Sequence, residues 1–204
     1  MCLRAGTPRC FGKWRAWRLS ARGKPRPDGI RRARRLSAIL AEAGILVVSG
    51  LAEGIDTAAH VAALEAHGAT AAVIGTPLDR RYPRSNAELQ ERLAREQLLL
   101  SQFPIGMPVQ RGNFPMRNRV MALISDATVI IEAADTSGSL SQGWEALRLG
   151  RALFIAQSAV NDKRLSWLAK MLAHGASVLS ERTLDDLLGL LRSRSCAEFN
   201  RREL

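Results

Sequence analysis

The chain has 204 residues, of which 47% are hydrophobic and 24% charged, a composition typical of a globular protein and not of a disordered or collagenous chain. It contains no apolar run long enough for a transmembrane helix, so we expect no membrane association. The three cysteines, Cys2, Cys10 and Cys196, lie in the two tails. This placement excludes a disulfide framework or a zinc cluster and favours a reducing, cytoplasmic setting.

The formal net charge of +11 belongs to the N-terminal part of the sequence. Residues 1–35 contain twelve Lys and Arg residues and one acidic residue, whereas the rest of the chain has 18 of each sign. We interpret residues 1–28 as a basic arm, either disordered or a degenerate first strand, residues 29–192 as the folded domain and residues 193–204 as a tail. The arm has the charge and aromatic content to bind a phosphate backbone. A solvated tail, a transit-like presequence and an unevolved leader are the alternatives.

From residue 29 onward, helical periodicity alternates with short apolar runs, a pattern typical of a parallel sheet covered by helices. We expect helices from 30 to Gly44, at 57–67 with Asp56 as N-cap, and at 86–96, 115–125, 142–149, 166–174 and 184–191. Strands are expected at 45–48, 71–74, 98–100, 127–131, 152–156 and 177–179. The longer loops are expected at 75–84, 103–114 and 135–141. This order predicts an α/β fold, a three-layer, doubly wound and mostly parallel sheet of Rossmann-like type.

In such a sheet, ligands bind beyond the carboxyl ends of the strands, so the loops there are the candidate sites. The first of these loops holds Ser49, Gly50 and Gly54 between a strand and a helix. Backbone N–H groups and the positive end of a helix can hold a phosphate at such a place. The loop matches neither the dinucleotide fingerprint nor the P-loop, and tight strand-to-helix packing explains its small residues equally well.

A second candidate lies at a loop-to-helix junction that contains Arg111, Phe114, Arg117 and Asn118. Arginine offers planar donors for a phosphate, and an exposed phenylalanine offers a face for a base. Arginine is unfavourable in the first turn of a helix unless an anion compensates its charge. The alternative is that Phe114 belongs to the core and that the arginines form a solvated helix start.

A third candidate is Ser137 with Gly138, which follow the strand at 127–131 and precede a helix. Hydroxyl groups and a glycine there would form a second phosphate cradle at the same edge of the sheet, although a simple helix cap is the alternative. Three loops suited to anions at one edge are jointly less expected by chance than any one of them. This coincidence is the strongest argument that the residues provide by themselves.

Several stretches also resemble the Rossmann-type core of the DprA/Smf DNA-processing proteins. They are VVSGLAEGIDTAAH at 47–60, GTPLDRRYP at 75–83, FPMRNRVMALISD at 114–126, IIEAADTSGSL at 130–140 and ALRLGRALF at 146–154. The resemblance implies a cytoplasmic bacterial protein that binds single-stranded DNA and forms a homodimer. It also implies that the protein hands the strand to the RecA recombinase during natural transformation, with no catalytic activity, cofactor or metal.

Carried over position by position, the resemblance implies a set of DNA- and phosphate-binding residues, with Phe114 as the residue on which a base stacks. The set is Arg22, Ser49, Gly50, Gly54, Arg111, Phe114, Arg117, Asn118, Ser137 and Gly138. One departure concerns the first strand of the core, which corresponds to residues 13–19. This stretch contains three cations, so we expect it to make a poor central strand.

A nucleotide-binding sensor or enzyme is the alternative function, because the core is also similar to the fold of the LOG nucleotide phosphoribohydrolases. Glu145 would be the general acid or base of such an enzyme, although a solvated helix residue is the simpler interpretation. The histidines at positions 60, 67 and 174 are scattered and lack neighbours at ligand spacing. We therefore expect no metal site.

Overall fold

The computed structural model describes residues 2–5, 16–21, 26–132, 138–160, 166–185 and 188. Within them, strands form a single sheet. The strands are β1 (Cys2–Ala5), β2 (Ala16–Ala21), β3 (Leu46–Ser49), β4 (Thr70–Ile74), β5 (Leu98–Ser101), β6 (Ala127–Glu132), β7 (Ala152–Ala156) and β8 (Ser177–Leu179). Their order is β1-β5-β4-β3-β2-β6-β7-β8. Strands β2 to β8 are parallel, and β1 pairs antiparallel with β5 at one edge.

Helices cover both faces of the sheet. They are α1 (Pro27–Glu42), α2 (Ile55–Glu65), α3 (Ala87–Glu96), α4 (Asn113–Ile124), α5 (Gly138–Arg148), α6 (Gln157–Val160) and α7 (Leu168–Ala173), with a 3-10 turn at Arg84–Asn86 and further helical residues at 181–185. Helices α1, α2 and α3 lie on one face, whereas α4, α5 and α7 lie on the other. The predicted three-layer, doubly wound α/β architecture is therefore confirmed.

Strand β2 lies at the centre of the sheet, hydrogen-bonded to β3 on one side and to β6 on the other. The expectation of a poor central strand is thus wrong for this stretch. Trp17 and Leu19 are buried under α1 and α2, and Trp17 stacks on Phe154 with ring centroids 5.3 Å apart. Side chains along a strand point alternately to the two faces of the sheet. Arg18 therefore faces the α4 layer, and the face that carries Trp17 and Leu19 stays apolar. Two strands precede residue 27, so the first core strand lies within the stretch assigned to the basic arm.

Two helix starts differ from the expectation. Helix α2 begins at Ile55 after Gly54, whose φ of +88° turns the chain into the helix, so Asp56 is not the N-cap but lies in the first turn. Helix α5 begins at Gly138, four residues before the predicted start. Leu140 packs on the core around Ile130, and burial of this side chain favours the earlier start.

The other boundaries follow the predicted pattern closely. Gly44 and Gly150 have φ values of +73° and +65° just after α1 and α5, the left-handed conformation that ends many helices. The predicted last helix, 184–191, falls mostly outside the described residues, as does the tail at 193–204. None of the helices within the described residues has the length and apolar character needed to cross a membrane.

Candidate functional site

The start of α4 lies at the carboxyl edge of the sheet, next to the loops that follow β3 and β4. Phe114 packs so closely on Gly75 that a Cβ atom at position 75 would lie 2.7 Å from the phenylalanine ring. The guanidinium of Arg117 donates from Nη1 to the carbonyl oxygens of Gly50 and of Val73, the latter at 2.8 Å. These contacts join α4 to both loops, and we call the surface at this junction the α4 groove.

Arg117 is almost completely buried, with 7% of its surface exposed. Its guanidinium and the Asp56 carboxylate both approach the Cα of Gly50, where a Cβ atom would lie 2.8 Å from Asp56 Oδ2 and would collide with Arg117 Nη1. Gly50 is therefore small because two charged side chains occupy the adjacent space. The packing explanation accounts for this glycine without any ligand.

Asp56 is a buried acid in the first turn of α2. Burial raises the pKa of its carboxyl group, while the positive charge of Arg117 opposes this shift. Its Oδ2 also accepts a hydrogen bond of 3.2 Å from the backbone N–H of Ala52. Asp56 thus fixes the β3 loop through Ala52 and lies beside Arg117, whose bond to the Gly50 carbonyl oxygen joins this loop to α4.

Arg18, which projects from β2 toward the α4 layer, is completely buried. Its Nη1 donates to the carbonyl oxygen of Asn118 at 3.1 Å. Burial, and then the positive charge of Arg117, lower the pKa of Arg18 to about 9, with Asp56 acting in the opposite direction. Sequence reasoning missed this residue. The alternation of Trp17, Arg18 and Leu19 is the signal in the sequence that could have placed its side chain on the α4 face.

The outer side of the groove combines aromatic rings with a free cation. Phe114 is half-buried, and the ring of Tyr82 lies 5.6 Å away, tilted by 50°. Tyr82, which sequence reasoning also missed, is 54% exposed on the loop after β4. Arg117 Cζ lies 6.0 Å from the Phe114 ring centroid. Arg111 is exposed one turn before Phe114 and has no hydrogen-bond or ion-pair partner within the described part of the chain.

The predicted site residues divide into those at the α4 groove, those in or next to the segments that are not described, and those in the loop after β3. Gly50, Phe114, Arg117 and Asn118 come together at the α4 groove, where Asn118 Oδ1 accepts a hydrogen bond of 3.1 Å from Arg117 Nε, and Arg111 is exposed in the turn just before α4. Arg22 and Ser137 lie outside the described residues, while Gly138 is the first residue of α5.

Ser49 and Gly54 shape the loop after β3. Ser49 is completely buried, and its hydroxyl donates to the carbonyl oxygen of Leu19 at 3.1 Å. This hydroxyl points into the protein. Gly54 supplies the positive φ that starts α2, as described above. For both residues the structure shows an internal role, and a contact with phosphate stays a prediction.

Glu145, the general acid or base of the alternative function, lies on α5 between two arginines. Its Oε1 is 2.6 Å from Arg148 Nη2 and 3.2 Å from Arg119 Nε. The hydrogen bond from Arg148 is the main cause that lowers the pKa of this carboxyl group. A carboxyl group held in its ionised form is a poor proton donor, so these contacts do not favour Glu145 as a general acid.

The buried His60 is a neutral core residue. Its Nδ1 donates to Thr70 Oγ1 at 2.7 Å, and that hydroxyl donates to the carbonyl oxygen of Val47. Burial lowers the pKa of His60 to about 3. Across the described residues, no three His, Cys, Asp or Glu side chains cluster closely enough to hold a metal ion.

The sequence of this chain is similar to a known protein family and to several of its curated members. The model of the family described as DNA recombination-mediator protein A matches residues 21–191. Protein Smf of Synechocystis sp. is 39% identical over 168 residues, which cover 82% of this chain and 42% of the relative. The chain spans less than half the length of the curated relatives it matches.

Two solved structures share the fold. DNA processing protein A of Streptococcus pneumoniae superposes with a TM-score of 0.74 at 32% identity, covering 82% of this chain and 59% of the other. DNA processing protein A of Helicobacter pylori, a protein with a single-stranded DNA binding mode, has a TM-score of 0.76 at 24% identity and covers 88% and 81% of the two chains. At that identity, the second comparison supports the fold alone.

Proposed function

The chain belongs to the DNA recombination-mediator protein A family, and from this membership we propose that it binds single-stranded DNA in the α4 groove. The observation that carries the proposal is the half-exposed ring of Phe114, with the unpartnered cation Arg111 three residues earlier in the turn that precedes α4. An aromatic face and a nearby cation are the two components that single-strand-binding surfaces combine.

The outer side of the groove suits a strand whose bases are not paired. A base can stack on Phe114 with Tyr82 beside it, and stacking tolerates any base because each one has a π-face. Arg111 is placed to contact a phosphate, and the exposed Arg80 and Arg84 on the loop after β4 extend the positive surface. Bases within a duplex are already stacked, so we expect a preference for single strands.

The inner side of the groove supports this surface. The hydrogen bond from Arg117 to the Gly50 carbonyl oxygen joins the β3 loop to α4, and the close approach of Phe114 to Gly75 fixes the aromatic ring on the β4 loop. A ring held in place before the ligand arrives loses little freedom on binding. The role proposed is binding and not catalysis, which agrees with the ionised, arginine-paired state of Glu145.

The proposal extends to the partners. A homodimer that delivers single-stranded DNA to RecA during natural transformation would fit the description of the family as recombination mediators, and it would place the chain in the cytoplasm. Light scattering would test the dimer. RecA filament assembly on single-stranded DNA, measured with and without this protein, would test the delivery. A monomer without effect on assembly would limit the function to DNA binding.

The DNA-binding proposal is tested by fluorescence anisotropy of a labelled oligothymidine at several salt concentrations. Wild type is compared with the double variant Arg111→Gln/Phe114→Leu, in which leucine keeps an apolar side chain against Gly75 but removes the stacking face. Arg92→Gln on α3 is the control, because it also removes one exposed positive charge. We expect the double variant to lose most of the affinity and the control to bind like wild type.

A separate variant tests whether the basic arm contributes to the affinity for DNA. Deleting residues 1–28 would remove the central strand β2, so a truncation cannot separate the two sources of affinity. Replacing Arg9, Lys13 and Arg15 with glutamine removes charge from the arm and leaves β2 intact. Loss of binding in this variant, with full binding by the double variant, would contradict the proposal.

A further inference from the structure

A cation lies inside the protein at a place where an apolar side chain would be expected. Arg18 is in the central strand and is completely buried, and the neighbouring side chains on the same face of the sheet include Ala16 and Val48. Its Nη1 bonds to the Asn118 carbonyl oxygen, whereas Nε and Nη2 are buried without a hydrogen-bond partner among the described residues.

This arrangement disfavours folding. A buried charge is stable only when it is paired and its donors are satisfied, and a buried ion can often be replaced by an apolar side chain with no loss of stability. The charges around Arg18 are Arg117, which repels it, and Asp56, which attracts it. Three buried charges with only one negative member leave a net positive charge below the groove.

The position of Arg18 suggests which function compensates the loss of stability that its buried charge causes. Its hydrogen-bond acceptor, Asn118, lies four residues after Phe114, so the two residues occupy the same side of α4. The bond from the central strand therefore fixes the helical turn that carries Phe114, and Arg111 lies in the turn just before α4. The excess positive charge also acts through a protein interior in which attraction to a phosphate is weakly screened.

We propose that Arg18 is a positioning residue of the α4 groove, which strengthens the binding of single-stranded DNA at the expense of fold stability without touching the ligand. The inference rests on the proposed function. It assigns the affinity of the groove in part to a side chain that solvent cannot reach. The role requires a side chain that both bonds to α4 and carries a positive charge.

The test uses the full chain and three variants. Arg18→Met removes the charge and keeps an unbranched side chain, Arg18→Lys keeps the charge and one donor, and Arg34→Met on α1 removes an exposed positive charge on the opposite face of the sheet. For each protein, the Kd for oligothymidine is measured at several salt concentrations, and the Tm is measured without DNA.

The expected result separates affinity from stability. Arg18→Met should bind roughly tenfold more weakly, with a Tm at or above that of wild type, because a buried charge has been removed. The dependence of Kd on salt should not change, since Arg18 contacts no phosphate. Arg18→Lys should recover most of the affinity, and Arg34→Met should bind like wild type.

Other results would overturn the inference. A lower Tm or an unfolded protein in Arg18→Met would show that Arg18 has a purely structural role. Wild-type affinity in Arg18→Met would show that the groove does not depend on this side chain, and the proposed function would stand. Absence of binding by wild type would overturn the proposed function together with this inference.

Discussion

The inner and outer halves of the α4 groove both contain arginine, but in opposite environments. The inner half, made of Arg18, Asp56 and Arg117, is buried and its charged groups contact protein atoms. The outer half, which includes Tyr82, Phe114 and Arg111, is partly or fully exposed. Burial therefore decides the role of each residue: changes to the inner half should alter stability and, at Arg18, also DNA affinity, whereas changes to the outer half should alter DNA affinity alone.

The largest effect is expected from Asp56→Asn in the inner half. The substitution alters a buried carboxyl group that accepts from the Ala52 N–H and lies beside Arg117, and the loss of these contacts should lower the free energy of unfolding by about 3 kcal/mol. Urea denaturation followed by circular dichroism measures this change. A variant as stable as wild type would show that these contacts do not fix the β3 loop.

Gly50→Ala tests the inner half by volume instead of charge. A methyl group at this position would collide with the Arg117 guanidinium, so we expect a loss of about 2 kcal/mol in unfolding free energy. Gly112→Ala is the matched control, since a Cβ atom there would meet nothing within 4 Å. Equal stability of the two variants would argue against the tight packing at Gly50.

Phe114→Leu tests the outer half. Loss of one stacked base should weaken the binding of oligothymidine by about 1 to 2 kcal/mol, with little change in Tm because leucine still packs on Gly75. Anisotropy and thermal unfolding measure the two quantities. Tyr82→Ala should show a smaller loss of affinity, because its ring is tilted beside the phenylalanine. A fall in Tm with unchanged affinity would place Phe114 in the core instead.

The smallest effect is expected from Arg111→Gln, which leaves every internal contact in place. It should weaken binding several-fold and reduce the slope of log K against log salt by about 1, as expected for one lost phosphate contact. The unfolding free energy should not change. An unchanged salt slope would show that Arg111 makes no phosphate contact.

Much of the fold could be predicted from the sequence because the apolar strands and the helical periodicity are local patterns. The central strand was the exception. The cations within and just before it made it look like part of a basic arm, and only the alternation of Trp17 and Leu19 with Arg18 showed that one face was apolar. Pairing with β3 and β6 then overrides the weak strand propensity.

The site was predicted where its residues are close in sequence and missed where they are not. Phe114 and Arg117 come from one helical turn, whereas Tyr82 meets Phe114 from a distant loop that no local spacing reveals. The inward orientation of Ser49 depends on an acceptor at Leu19, again far along the chain. Spacing identifies the residues of one loop, but it does not show which of their polar groups are satisfied inside the protein.

The central claim is that single-stranded DNA lies on the outer half of the α4 groove. The most direct test is photochemical crosslinking of an oligonucleotide containing 5-iododeoxyuridine, followed by mass spectrometry of the modified peptides, because this base reacts with aromatic side chains on which it stacks. We predict crosslinks at Phe114 and Tyr82 that are lost in Phe114→Leu and Tyr82→Ala respectively. Crosslinks confined to residues 1–15 would contradict the claim and would assign the binding to the basic arm.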